Sequence, residues 1–188
     1  MQLKSQQLDE LWTEGLINYP AMVYFQHCLL PVLDRVHELG EQPLITKSFE
    51  HLLKRKLYSL IAQQQKYANG TEILLATNHS NSEIFLLFTA YALGVASFKV
   101  HYFGTDLSSG DVDLAMTSLN LQYGWMHLHP SDARHANEWA HILENSASHW
   151  FLSGALPHSL QERQHLTRLP EDLGEQVQVF LTSIGGQL

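Results

Sequence analysis

One stretch constrains the fold more than any other. Thr71 to Gly104 runs from TEILLAT through a polar knot, NHSNSE, into the apolar segment IFLLFTAYALGV, and ends at FKVHYFG. A short apolar run, a loop, a helix-length apolar run and a second strand-like run are the opening of a parallel α/β sheet. Ligands of such sheets are met at the carboxyl ends of the strands. Here that end is the loop Asn78 to Ser82, and the remaining residues are weighed against it.

Beyond Gly70 the rhythm stays strand, loop, helix. The pattern predicts strands at Glu72–Thr77, Phe98–Phe103, Gly124–Leu128 and His149–Ser153, with helices at 82–93, 109–121 and 131–144. Val112, Ala115, Met116 and Leu119 repeat at helical spacing, as do Ala136, Trp139, Ala140 and Leu143. A closing helix is expected near 171–183. Four strand–helix units in a row predict a doubly wound, flavodoxin-like sheet.

Residues 1–70 read as helix throughout. Ser5 can cap a first helix whose apolar stripe is Leu8, Leu11 and Trp12. Tyr19-Pro20 marks a new start, Ala21 to Leu30 is nearly all apolar, and Pro31 either kinks that helix or begins another. Val32, Leu33, Val36 and Leu39 continue as far as Gly40. A last helix is expected from about Thr46 to Asn69, with Phe49, Leu52, Leu53, Leu57, Leu60 and Ile61 on one face and Asn69-Gly70 as its end. Short helices with apolar stripes and brief turns describe a bundle. The organisation expected is a helical bundle, 1–70, followed by an α/β domain, 71–188.

Composition narrows the function. A chain of 188 residues with 45% hydrophobic content can bury a real core. Eleven Lys plus Arg against nineteen Asp plus Glu give −8, which argues against direct contact with nucleic-acid phosphates. The single cysteine, Cys28, lies in an apolar helical stretch and reads as a small core residue in a reducing compartment. No apolar run reaches membrane length and the N-terminus is unlike a signal peptide, so a cytoplasmic location with no membrane contact is expected. Twelve histidines are scattered without zinc-finger spacing, and His127-x-His129 binds a metal only with ligands from elsewhere. There is no G-x-S-x-G elbow, no G-x-G-x-x-G and no Walker loop, so an enzyme is not expected.

Several pieces match a known layout in order and spacing. Leu29-Leu30-Pro31-Val32-Leu33, the pair Glu50-His51 followed by Leu52, the strand ILLAT, and Tyr102-Phe103-Gly104-Thr105-Asp106 resemble the effector region of MerR-type transcription regulators. That group includes the light-sensing cobalamin-dependent repressors. The resemblance implies a helical cap over a cobalamin-binding-type sheet, and a homo-oligomer. It also implies DNA contact only through a helix-turn-helix region absent from these residues. Related modules without such a region bind a protein partner as antirepressors.

The departures from the pattern are specific. The family's strand-to-helix loop reads roughly G-E-x-H-x-x-G, and the position of its cobalt-ligating histidine falls on Glu83. A carboxylate is a poor replacement for imidazole on cobalt. The tryptophan of the bundle's upper face falls on Gly40, the serine ending the third strand on His127, and the glycine pair after the fourth strand on Ser153-Gly154. The pattern implies a pocket that has drifted from cobalamin use.

Each candidate has a structural reading beside the functional one. Ser80-x-x-Glu83 is a capping box, or Glu83 is a polar contact at the pocket floor. His79 is a solvated loop residue, or an axial ligand to haem iron. Glu50 and His51 form a solvated helix face, or contact a ligand. His127 ends a strand at the crevice, or is a buried, hydrogen-bonded ring. Gly104 and Ser153-Gly154 suit tight turns, and Trp12, Trp125, Trp139 and Trp150 suit the core. Three roles follow: a degenerate effector and oligomerisation domain of a MerR-like regulator, a haem or other tetrapyrrole sensor using His79, His51 or His127, or a ligand-free dimerisation module. Phe85 and Leu86, bulky and close to the loop, suit the last.

Overall fold

A computed structural model describes residues 4–38, 43–129, 136–156, 158, 160 and 163–185. The chain divides into two compact units, Met1–Gln63 and Gln64–Leu188.

The first unit is helical. Helix α1 spans Ser5–Asn18, α2 Ala21–Tyr24, α3 Leu30–Glu38 and α4 Pro43–Gln65. Phe25–Leu29 joins α2 to α3 as one π-turn, in which the Leu30 N–H reaches the Phe25 carbonyl. Pro31 explains the widening. It has no N–H to give the His27 carbonyl, and its ring crowds that carbonyl, so the helix loosens a turn earlier and continues. Pro31 therefore neither ends the helix nor starts a separate one. Trp12, Phe25, Leu29, Phe49, Leu53 and Leu57 form the core of this unit. Trp12 meets Phe49 edge-on, with centroids 5.7 Å apart and planes at 82°.

Three details of this unit differ from expectation. Ser5 is the first helical residue, and the position before it, Lys4, makes no side-chain cap. The long helix begins at Pro43 and stops at Gln65, short of Asn69-Gly70; the Gly70 N–H instead bonds the Ser97 carbonyl at 3.0 Å. Cys28 is exposed. Phe25, Leu29 and Leu33 recur every fourth residue on the buried face, and Cys28 falls beside that line.

The second unit is a five-stranded parallel sheet. Its strands are β1 (Glu72–Thr77), β2 (Lys99–Tyr102), β3 (Tyr123–Leu128), β4 (His149–Gly154) and β5 (Leu166–Arg168), in the order β2-β1-β3-β4-β5. That is the flavodoxin-like order of a doubly wound sheet, reversing direction between β1 and β3. The fold class read from the sequence is the one observed. β5 has only three residues, Leu166 and Thr167 half-buried and Arg168 exposed, too little pattern to be read in advance.

Helices α5 (Glu83–Val95) and α8 (Leu173–Gly185) lie on one face, α6 (Ser109–Ser118) and α7 (Ala136–Asn145) on the other. Burial on both sides explains why β1 reads as an unbroken apolar run, with Ile73, Leu74, Leu75 and Ala76 fully inaccessible. Leu74, Ala76, Met126 and Leu152 pack with Val112, Met116, Trp139 and Leu143. On the other face the Phe180 ring meets Phe98, Trp125 and Phe151 at centroid distances of 5.2, 5.4 and 4.6 Å. All four tryptophans are buried, as their periodicities predict.

Trp150 imposes one requirement on its neighbour. It pairs with Gly124 across β3 and β4, and its six-membered ring occupies the space a Cβ on residue 124 would need. A central strand tolerates glycine here because another side chain fills the vacancy.

Candidate functional site

The switch point of the sheet lies between the ends of β1 and β3. There the structure gathers His79, Ser80, Asp106, His127 and Ser153, five of the residues singled out from the sequence. Ser80 is bonded to Asp106 and His127 to Ser153, while His79 bonds Asn81 and stacks on His129.

The loop after β1 is built around His79. Its backbone is extended, and its Nδ1 accepts the Asn81 N–H at 3.1 Å, so the imidazole caps the short turn Ser80–Ser82 that leads into α5. The Ser80–Glu83 capping box does not form. The Ser80 N–H goes to Asp106 Oδ1 at 3.0 Å, across from the loop after β2. Ser82, the residue before α5, makes no side-chain cap. A capping box does exist one helix later, where Ser108 and Asp111 satisfy each other's backbone N–H groups at the start of α6. Glu83 lies in the first turn of α5, where a carboxylate complements the helix dipole.

Asn78, marked in the sequence only as the first residue of the loop, proves to tie two strand ends together. Its Oδ1 accepts the His129 N–H at 2.8 Å, and its amide reaches the His129 carbonyl at 3.5 Å. The side chain thus imitates a neighbouring strand and clamps the end of β3 to the end of β1. The clamp lays His129 against His79, rings stacked with centroids 4.3 Å apart and planes at 16°. An Asn directly after an apolar strand was the available signal, but its partner lies 51 positions away. Burial, followed by the neighbouring charge of His79, lowers the pKa of His129.

His127 is a half-buried, hydrogen-bonded ring. Strand alternation puts Trp125, His127, Phe151 and Ser153 on the α5/α8 face. His127 Nδ1 lies 2.9 Å from Ser153 Oγ, and the Trp125 indole N–H donates to the same oxygen at 3.1 Å. Phe85 of α5 covers the imidazole, with centroids 4.4 Å apart. Burial, assisted by the nearby charge of His129, pushes the His127 pKa down to about 4. At neutral pH it is an uncharged ring with one nitrogen already engaged.

The two turn glycines have physical reasons. Gly104 has φ +94° and Gly154 φ +82°, both in the region that side chains avoid. At Gly154 a Cβ would also run into the Leu128 carbonyl, which accepts the Ala155 N–H at 2.8 Å. Asp106, at φ 58°, also takes a left-handed conformation while its carboxylate holds Ser80 and Thr105.

In the helical unit Glu50 is engaged with His37, Nε2 to Oε1 at 2.6 Å, while His51 is exposed. Gly40 lies outside the described residues. Among the described residues no group of three or more His, Cys, Asp or Glu side chains is arranged to hold a metal, and no helix is long and apolar enough to cross a membrane.

No protein-family model matches the chain, and no curated protein matches it. Among solved structures it is similar to a cobalamin-binding protein from Desulfitobacterium hafniense DCB-2. The TM-score is 0.49, with 14% identity over 96% of this chain and 92% of that one. Likeness at that level says nothing about ligand or role.

Proposed function

We propose that this chain is the effector-receiving and oligomerising domain of a MerR-like transcription regulator, and that it works without a corrinoid. The regulator assignment rests on the sequence pieces described above and on the net charge of −8, which leaves DNA contact to another region. One observation supports the corrinoid-free part. At the switch point the groups that would meet a ligand bind each other, with His127 held by Ser153 and covered by Phe85, and the Ser80 N–H taken by Asp106. To admit a ligand, these contacts, the His127 pair half-buried and the Ser80 bond exposed, would have to break and be replaced. The same geometry weighs against haem, because His79 would have to leave its stack on His129 and His127 its cover.

The reading is tested by absorbance titration of the protein with adenosylcobalamin, hydroxocobalamin and haem, followed by gel filtration in the dark and after light. The expected result is no saturable spectral change and an oligomer indifferent to light. A saturable shift with either cobalamin would overturn it. A Soret band with haem, lost on His79→Ala, would replace it with a haem sensor.

A further inference from the structure

The charge of this acidic chain is unevenly placed. Four of its eleven Lys and Arg residues, Lys47, Lys54, Arg55 and Lys56, lie in α4, against one carboxylate, Glu50. Lys56 is engaged with Asp9 at 2.9 Å, and Glu50 with His37. The helical period gathers other residues of α4 into a stripe. Leu44, Lys47, His51, Arg55 and Tyr58 recur three or four positions apart and share one face. All five are exposed, Leu44 at 77%. Phe49, Leu53 and Leu57 are buried on the opposite face. Lys47, His51 and Arg55 have no ion pair or hydrogen bond among the described residues. The stripe runs about 21 Å from Leu44 to Tyr58.

A solvated helix face ordinarily mixes the two signs, since opposite charges four positions apart stabilise it. This one carries cations without a carboxylate, in a chain whose net charge is −8, and ends in an exposed leucine and an exposed tyrosine. We propose that the stripe is a docking surface for an acidic amphipathic helix of a partner protein. Lys47 and Arg55 lie about 12 Å apart along the axis, so carboxylates two turns apart on the partner meet both. Its apolar side chains cover Leu44 and Tyr58. Charge complementarity sets the register and the apolar ends add burial. Two permanent cations between apolar ends are poorly suited to a phosphate backbone, whose binders neutralise about six or more phosphates. The proposal gives the regulatory domain proposed above a partner, and in that respect rests on that reading. The stripe takes no part in the sheet's crevice, so absorbance titration there and binding here fail separately.

The test is fluorescence anisotropy of a labelled synthetic helical peptide, with glutamate at every fourth position between two terminal leucines, titrated with the full chain. The expected result is saturable binding that weakens with salt and is absent for the same peptide with glutamine in place of glutamate. Lys47→Glu and Arg55→Glu should each weaken it about fivefold, and Leu44→Ser about threefold. Lys66→Glu alters net charge equally at an exposed position beyond the end of α4 and should leave binding unchanged. Circular dichroism checks that these surface variants remain folded. Equal binding of the glutamine peptide would overturn the proposal in favour of apolar sorption, and equal weakening by Lys66→Glu in favour of bulk charge. Lack of saturation would overturn it outright. Displacement of the peptide by a DNA duplex would assign the stripe to nucleic acid instead. Self-association that displaces the peptide and is lost in Lys47→Glu would assign it to a second copy of the chain.

Discussion

His127 Nδ1 stands 2.9 Å from Ser153 Oγ, between the ends of neighbouring strands. The serine oxygen also receives the Trp125 indole N–H. The arrangement suits a neutral imidazole that accepts the serine proton. It turns two residues that would face a ligand into one internal network.

Acid should therefore weaken the fold through His127. Its folded pKa, about 4, lies below the ordinary 6.5, so the unfolded chain binds the extra proton first. The stabilisation is complete above pH 6.5 and is lost as pH falls from 6.5 towards 4. The full shift corresponds to at most roughly 3 kcal/mol, less with solvent screening. Urea denaturation between pH 7.5 and 4.5 should show stability falling with acid, and His127→Gln should flatten that slope. His129 and His149, both also lowered, contribute with the same sign. An unchanged slope in the variant would remove His127 from the account.

Gly124 is held to glycine by the Trp150 ring. Gly124→Ala should cost about 1–3 kcal/mol, the usual range for overpacking a core. In a Trp150→Leu background the same alanine should cost much less, because the clash is gone. A double-mutant cycle by chemical denaturation measures the difference. Equal costs in both backgrounds would mean that the ring is not what excludes the methyl group.

Asn78 should hold the ends of β1 and β3 together at the switch point. Asn78→Ala leaves the His129 N–H without its acceptor and should cost about 1–2 kcal/mol. Amide hydrogen exchange gives the local readout. The His129 amide should exchange markedly faster in the variant while amides in the middle of β3 stay protected. If the His129 amide is unaffected, the clamp does not hold the strand ends together.

The contrast between Gly124 and Asn78 shows where sequence reading succeeds and stops. Buried parallel strands declare themselves, because both faces need apolar residues and the run in β1 has no polar break before Thr77. Helices declare themselves by period, and so the doubly wound order could be anticipated. Long-range pairings leave no local trace. Ser80 and Glu83 have capping-box spacing, yet Asp106, 26 positions on, takes the serine N–H. Cys28 has apolar neighbours, yet the four-residue recurrence of Phe25, Leu29 and Leu33 leaves it exposed beside that buried line. His79 and His127 were singled out as candidate ligands, whereas their actual partners, Asn81, His129 and Ser153, are fixed by tertiary structure.

Placing an imidazole at position 83 should not by itself confer cobalamin binding. The resemblance described above implies that the cobalt-ligand position falls on Glu83, so Glu83→His would supply the donor. The crevice would still hold His127 under Phe85, and Leu86, where the family pattern has glycine, is fully buried beside it in sequence. Glu83→His should give no change in the hydroxocobalamin spectrum at concentrations that saturate a working site. Adding His127→Ser and Leu86→Gly removes the covered ring and the buried side chain, at a stability cost of about 3–5 kcal/mol for the leucine alone. Circular dichroism must therefore establish that the triple variant still folds. A spectral shift in the folded triple variant, absent in the single one, would identify the filled crevice as the obstacle. A shift in Glu83→His by itself would mean that the contacts around His127 never closed the site.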